Sequence, residues 1–283
     1  MQGKISISDA LYPHLLSQIP DPPENLFFKG KLSKEIFSNC LAIVGSRKMT
    51  SYGSRVVESL VSSLAGSAIT VVSGFMYGVD ASAHRAALKY GVSTIAVLPC
   101  GVDKIYPQMH RELYCEIQKS NALISEFEMG FYPTKWSFAK RNRVIAGICK
   151  AVLVIEAGVQ SGALITAYWA NKFKRQVYAI PGDIFSEQSV GTNQLIISGA
   201  KAVVTVSELS SLFGIKLQQN KSKYKTFSSG EVDRVYKLIQ SGRVSVDELS
   251  RSALINAKSL VSIITELELS GAIKSSGGYL YAN

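Results

Sequence analysis

Histidine is scarce in this chain. His14, His84 and His110 are the only three in 283 residues, and none stands in an H-E-x-x-H pair or in a recognisable Ser/His/Asp arrangement. A Walker loop is absent too, so the common signatures of hydrolytic and phosphoryl-transfer chemistry are missing. The four cysteines, Cys40, Cys100, Cys115 and Cys149, are widely spaced without a C-x-x-C pair, which argues against zinc and leaves reduced, mostly buried thiols as the expectation. No metal or cofactor is expected. Long apolar runs are lacking as well: stretches such as Leu41 to Val44 and Ala151 to Ile155 fall far short of the roughly 20 residues that span a bilayer. The opening MQGKISISDALYPH has no basic region followed by an apolar run and a cleavage site, so the reading is a cytoplasmic chain with no membrane partner. Acid is the minority charge, 21 Asp and Glu against 31 Lys and Arg, and the net +10 favours a polyanionic partner such as nucleic acid.

What is present is a repeated theme. The runs LAIVG, ITVVSG, STIAVLPCG, ALISEF, KAVLVIEAG, QVYAIPG and KAVVTV each have the length of a buried strand. Between them SYGSRVVESLVSSLAG, DASAHRAALKYG and SGALITAYWANKF carry apolar residues at helical spacing. These are parallel βαβ units, predicting an α/β, Rossmann-like, doubly wound and mostly parallel sheet. Residues 1–35 read as a lead-in packed against the sheet edge, 36–217 as the Rossmann-like domain and the polar 218–230 as a linker. Residues 231–283 read as three helices and a glycine-turned hairpin, a small C-terminal winged-helix-like domain. Its third helix is expected to bury Leu260, Ile263, Ile264 and Leu267. The face left over, with Glu266 and Glu268, is poorly suited to reading duplex bases.

In such a sheet ligands gather beyond the carboxyl ends of the strands. There the first strand is followed by Gly45-Ser46-Arg47, the second by Ser73-Gly74 with Gly78 and Asp80, the third by Cys100-Gly101 and the sixth by Pro181-Gly182-Asp183. The first loop can present backbone N–H groups and the Arg47 fork to an anion, or it can be an ordinary β-to-α turn. The loop from Glu156 to Ser161 and Gly162 can bind phosphate at a helix N-terminus, or Ser161 can simply cap that helix. The segment Pro133 to Arg143 interleaves Trp136 and Phe138 with Lys135, Lys140, Arg141 and Arg143, next to Asn142, just before a helix. That mixture suits stacked bases and a tracked backbone, as in a single strand, unless the rings are core and the cations solvated. Asp80 and Glu156 are strand-end acids able to act as acid and base, though capping and arginine pairing account for them with less.

AIVGSR at 42–47, SGFMYGVDASAH at 73–84, CGVDKIYP at 100–107, SEF at 125–127, FAKRNRVIAG at 138–147, VIEAGVQSGALITA at 154–167, PGD at 181–183 and GTNQLI at 191–196 together resemble the DprA/Smf family. YPHLL and DPPENLFFKG are similar to its lead-in. The resemblance implies a non-enzymatic protein that binds single-stranded DNA, with duplex weaker. It also implies that the protein protects incoming DNA and loads RecA recombinase during natural transformation, often as a homodimer. On matching positions it implies that Arg47 grips a phosphate, that Lys135 and Arg141 line a basic pocket, and that Phe138 meets a base. Ser161 and Gly162 add contacts, with Gly45, Ser46, Gly74, Lys140 and Asn142 in the same site. Phe75-Met76-Tyr77 replaces smaller family residues and bears on pocket volume. The competing reading is a nucleotide hydrolase related to LOG-type phosphoribohydrolases, whose P-G-G-x-G-T-x-x-E pattern is not matched by EAGVQSGALITA.

Overall fold

The central strands of the sheet read as apolar throughout because both of their faces are covered. In β3 (Cys40–Val44), which follows β1 (Gln2–Ser6) and β2 (Asn25–Gly30), every residue is buried. Ala42 and Val44 face one core while Leu41 and Ile43 face the other. β7 repeats the alternation after β4 (Thr70–Ser73), β5 (Ser93–Val97) and β6 (Ala122–Ser125). Across β7 (Ala151–Val154), Val152 and Val154 join the first core, and Ala151 and Leu153 the second. With β8 (Gln176–Ala179) and β9 (Lys201–Ala202) these make a nine-stranded sheet of order β1-β2-β6-β5-β4-β3-β7-β8-β9 in the computed structural model. The structure describes residues 1–205, 230–240, 242, 244–276 and 278–282. All seven apolar runs read from the sequence are strands, and they pair in parallel.

Helices cover both faces. The layer over Leu41 and Ile43 contains α2 (Ser51–Ser63) and α3 (Val79–Lys89), through Val57, Leu60, Val61, Ala83 and Ala87, while the short α1 (His14–Ser17) sends Leu16 into the other core. α4 (Arg111–Ser120) packs Leu113, Tyr114 and Ile117 around Phe75. On the opposite face, α5 (Lys135–Ile148) supplies Val144, Ile145 and Ile148, and α6 (Gly162–Lys172) supplies Ala163, Ala167 and Ala170. Each fully buried aliphatic side chain contributes about 2 kcal/mol. α7 (Val190–Ile197) precedes β9.

Residues 1–35 supply two strands of the sheet: β2 runs antiparallel to β6, and β1 antiparallel to β2. Between them Leu16 packs so closely on Gly147 of α5 that a Cβ there would approach its Cδ1 to 2.6 Å. Cys40, Cys100 and Cys149 are buried and Cys115 is exposed.

The chain divides into two compact units, Met1–Gln218 and Gln219–Asn283. Of the expected linker at 218–230, all but the last residue lies outside the described residues. The second unit holds α8 (Gly230–Gln240), β10 (Val244–Ser245), α9 (Val246–Ala253), α10 (Ala257–Leu269), β11 (Ile273–Ser276) and β12 (Tyr279–Ala282). This is the winged helix. Ser245 and Glu248 form a capping box for α9, and Asn256 caps α10 by accepting from Ser259 N. Leu260, Ile263 and Leu267 are buried, while Ile264 is only partly buried at the margin of that core. Among the described residues no helix is long and apolar enough to cross a membrane.

Candidate functional site

The strand order reverses at β3: the chain winds outward through β4, β5 and β6 on one side and through β7, β8 and β9 on the other. The loops that leave β3 and β7 therefore part company, and a crevice opens between them. It is a cleft of about 700 Å3, lined among others by Gly45, Ser46, Arg47, Lys48, Met76, Asp80, Lys135, Phe138, Arg141, Asn142, Ser161, Gly162 and Gln188. Nine of the eleven residues marked from the sequence thus meet in one place, and Gly74 and Lys140 are the two that do not line it.

The loop after β3 is held from beneath. Ser46 N donates to the Glu156 carbonyl at 2.7 Å, Lys48 N to Ser46 Oγ at 3.0 Å, and Thr50 N to Glu156 Oε2 at 2.8 Å; the Thr50 hydroxyl donates to Glu156 Oε1. The Glu156 carboxylate therefore occupies the N-terminus of α2, where the dipole and unsatisfied N–H groups favour an anion. The backbone donors of Ser46, Lys48 and Thr50 are taken up internally by these bonds, and the loop offers the exposed side chains of Arg47 and Lys48 outward. Gly45 is required by packing, since a Cβ would meet Val79 Cγ2 at 2.6 Å and the Glu156 carbonyl at 2.9 Å. Ser46 Oγ reaches across to Gln188 Oε1 at 2.5 Å, and the Gln188 carbonyl accepts from Ala157 N at 2.7 Å, which ties the loop before α7 to both sides of the crevice.

The aromatic and cationic segment is itself the start of α5, not a stretch before a helix. Thr134 is the N-cap, and Ser137 completes a capping box with it. Helical geometry then sorts what the sequence interleaves. Lys135, Phe138, Arg141 and Asn142 fall on the cleft side at i, i+3, i+6 and i+7. Trp136, Lys140 and Arg143, at i, i+4 and i+7, share the other side. There Trp136 packs edge-on against Phe127 and Phe131, and Lys140 Nζ lies 5.7 Å from the Trp136 ring centroid and 3.3 Å from Glu126 Oε2. Arg143 pairs with the same Glu126 oxygen at 2.6 Å and donates to the Asp21 carbonyl. Lys140 consequently belongs to this second cluster, while Lys135 remains exposed at the cleft. Phe138 is half-buried, with the Arg47 guanidinium 5.4 Å above its ring and Tyr106 edge-on at 5.7 Å.

Arg141 is not free to grip a ligand with its whole fork. It is buried, its Nη1 donates to the carbonyls of Gly74 and Val97, and its Nε donates to Asn142 Oδ1 at 3.1 Å. Asn142 Nδ2 in turn donates to the Gly162 carbonyl at 3.0 Å, so the pair braces α5 against the start of α6. Burial pulls the Arg141 pKa down to about 10, against the attraction of Asp80, and burial likewise raises Asp80 above its ordinary value, against the attraction of Arg141. Gly74 sits between the two: a Cβ there would meet Asp80 Oδ2 at 2.5 Å and Arg141 Nη2 at 2.6 Å. Its part is to let these charges approach the cleft floor.

Of the Phe75-Met76-Tyr77 run only Met76 lines the cleft. Phe75 turns into the core with φ +65°, against His84, His110 and Tyr114, and Tyr77 lies on His110 at 5.2 Å. The bulk at these positions is therefore mostly directed away from the cavity. Ser161 caps α6 by accepting from Ala163 N at 3.3 Å. Lys48, Glu187 and Gln188 also line the cleft and were not marked from the sequence. Lys48 stands beside Arg47 and was within reach of the charge argument, but Gln188 is 142 residues from its Ser46 partner and no local pattern announces it.

Residues 4–214 match the family model for DNA recombination-mediator protein A. The chain belongs to that family. A second match, to the DprA winged helix domain, covers residues 227–279. Among relatives, the DNA processing protein DprA of Streptococcus pneumoniae is 42% identical over 200 residues, 71% of this chain and 70% of that protein. Protein Smf of Synechocystis is 39% identical over 209 residues, 73% of this chain, and the chain spans about half, 52%, of that protein's length. In structure, the chain is similar to S. pneumoniae DprA with a TM-score of 0.71 at 39% identity, covering 75% of this chain and 74% of that one. It is also similar to the Helicobacter pylori DNA processing protein A, described for its single-stranded DNA binding mode, with a TM-score of 0.67 at 29% identity over 74% and 94% of the two chains.

Proposed function

We propose that this chain binds single-stranded DNA in the cleft at the strand-order reversal, without chemical turnover. The observation that carries the reading is the pairing of Arg47 with Phe138: a guanidinium suited to a phosphate sits over a half-buried ring suited to a base, in a crevice that also presents Lys48 and Lys135. In this reading Arg47 takes a backbone phosphate, Phe138 stacks a base, Lys135 neutralises the next phosphate, and the Ser161-Gly162 turn supplies polar contacts. Gly45, Ser46, Gly74, Arg141 and Asn142 shape and brace the site. Base faces are hidden in a duplex, so duplex DNA binds more weakly. The H. pylori relative's binding of single-stranded DNA supports the same ligand here.

A hydrolase reading needs a strand-end carboxylate available to a substrate. Glu156 is 2% exposed and committed to Thr50, and Asp80 is buried beside Arg141 with its pKa raised by burial, which favours structural parts for both. Family membership further supports a cytoplasmic protein that protects incoming DNA and loads RecA recombinase in natural transformation, working as a homodimer.

The test is a titration of fluorescent oligo(dT) of about 35 nucleotides and of the same-length duplex with the wild type and the Arg47→Ala/Lys135→Ala double variant, at low and high salt. Preference for the single strand, a steep salt dependence and failure of the variant are expected. Equal duplex binding that survives the double substitution would overturn the reading.

A further inference from the structure

The loops at residues 98–107, after β5, and 126–134, before α5, carry two exposed tyrosines that no core uses. Tyr106 is 39% exposed and Tyr132 is 69% exposed. The two loops are tied to each other by hydrogen bonds. Gly101 N donates to the Phe131 carbonyl at 3.0 Å, Gly130 N donates to Asp103 Oδ1 at 2.9 Å, and a Cβ on Gly101 would meet the Glu128 carbonyl at 2.5 Å. Asp103 also holds Lys104 Nζ at 3.3 Å, and that ammonium lies 4.6 Å from the Tyr132 ring centroid. Tyr106 meets Phe138 edge-on at 5.7 Å, so the ledge is continuous with the cleft. The order of contacts is Arg47, Phe138 and Tyr106, and then, two residues away on the same loop, Lys104 with Tyr132.

We infer that a bound single strand continues out of the cleft across this ledge, stacking successive bases on Tyr106 and Tyr132 while Lys104 takes a phosphate. The occupant is single-stranded DNA and not a protein partner because the two exposed rings alternate with cations, Lys104 over Tyr132 and Arg47 over the Phe138 that Tyr106 touches. One of them has an ammonium on its face, and both belong to a surface that begins at the ring and cation of the cleft. Rings already held by hydrogen-bonded loops lose little freedom when a base lands on them, which is what a sequence-tolerant stacking platform requires. The inference rests on the cleft reading, since the ledge extends the path of a strand anchored there.

Four fluorescent oligonucleotides separate the two. One is about 6 nucleotides long, enough for the cleft alone; another is about 20 nucleotides of dT; two more are of the longer length with all but the anchoring nucleotides abasic toward the 5′ or the 3′ end. Wild type is expected to bind the long dT about tenfold or more tighter than the short one, and an abasic tail on one side should remove most of that gain. Tyr132→Ala should shrink the long-to-short ratio about fivefold and Tyr132→Phe should restore it. A ratio unchanged by Tyr132→Ala, or a length gain kept by both abasic tails, overturns the ledge while leaving the cleft in place. If neither length binds, or Arg47→Ala has no effect on either, the cleft reading itself fails and the ledge falls with it.

Discussion

The Arg47 guanidinium lies 5.4 Å from the centroid of the Phe138 ring, bringing the side chain best suited to a phosphate against the one best suited to a base. The two come from opposite walls of the crevice, from the loop after β3 and from the first turns of α5. Their contact keeps both in position before any ligand arrives, and such a cation–ring pair contributes about 0.5–1 kcal/mol at an exposed site.

Phe138→Ala should therefore weaken oligo(dT) binding by about 1–3 kcal/mol with little change in salt dependence, and Phe138→Trp should keep most of the affinity. Arg47→Ala should instead flatten the dependence on salt, lowering the slope of log K against log salt by about 0.7. Titrations at three salt concentrations separate the two effects. An identical salt slope in wild type and Arg47→Ala would rule out a phosphate contact.

Lys135 and Lys140 make a matched pair for testing the division of α5 into two faces. Lys135 lines the cleft, whereas Lys140 lies against Trp136 and Glu126 on the far side. Lys135→Ala should cost several-fold in single-strand affinity, and Lys140→Ala should change it by less than about twofold, consistent with the small worth of a partly exposed ion pair. Equal losses in an anisotropy titration would show that the helix does not present these faces as described.

Gly74→Ala should destabilise the fold. The added methyl would press on Asp80 Oδ2 and Arg141 Nη2, both in buried side chains with little room to move. A loss of about 1–3 kcal/mol is expected in urea denaturation, together with weaker DNA binding as Arg141 shifts beneath the cleft. Wild-type stability in this variant would show that the floor of the site is looser than drawn.

His84 makes the protein acid-sensitive. Its Nδ1 bonds Thr94 Oγ1 at 2.7 Å, its Nε2 has no partner among the described residues, and burial, helped by His110 and Arg141, lowers its pKa from 6.5 to about 3. Between those values the unfolded chain takes up a proton that the folded one refuses. Stability is therefore fully present above pH 6.5 and declines as pH falls toward about 3. Asp80 acts in the opposite sense, because its raised pKa makes the folded state the better proton acceptor above 3.8. That contribution is shared by wild type and His84→Gln and cancels between them. Urea midpoints measured from neutral pH down to about pH 4.5 should fall more steeply for wild type than for His84→Gln; parallel profiles would contradict the assignment.

The parallel strands were legible because burial on both faces leaves an uninterrupted apolar run such as Leu41 to Val44. β1 and β2 were not, since Gln2–Ser6 and Asn25–Gly30 lie at the sheet edge and mix exposed with buried positions. The cleft was legible where loop identity decided it, at Arg47 and Ser161. Within α5 the linear order blurred the picture. Lys135 and Lys140 look alike in the sequence, and only the turn of the helix sends one to the cleft and the other to Glu126. Arg141 was marked as a pocket cation, and what its type could not convey is that carbonyls of Gly74 and Val97 already hold it. Gln188 joins the site through a tertiary contact that no spacing rule anticipates.

The lead-in also bears on how the site can be mapped. Leu16 is wedged against Gly147, the Asp21 carbonyl receives Arg143, and the Leu15 carbonyl receives Arg175 at 2.9 Å, so the outer side of α5 and the turn after α6 rest on the first two dozen residues. None of those residues lines the cleft. Trimming them, or displacing them with a fused affinity tag, would nevertheless shift the helix that carries Phe138. A deletion series read at face value would then assign DNA contact to a segment that only props up the wall behind it, and point substitutions or a tag at the far end of the chain are the safer guides.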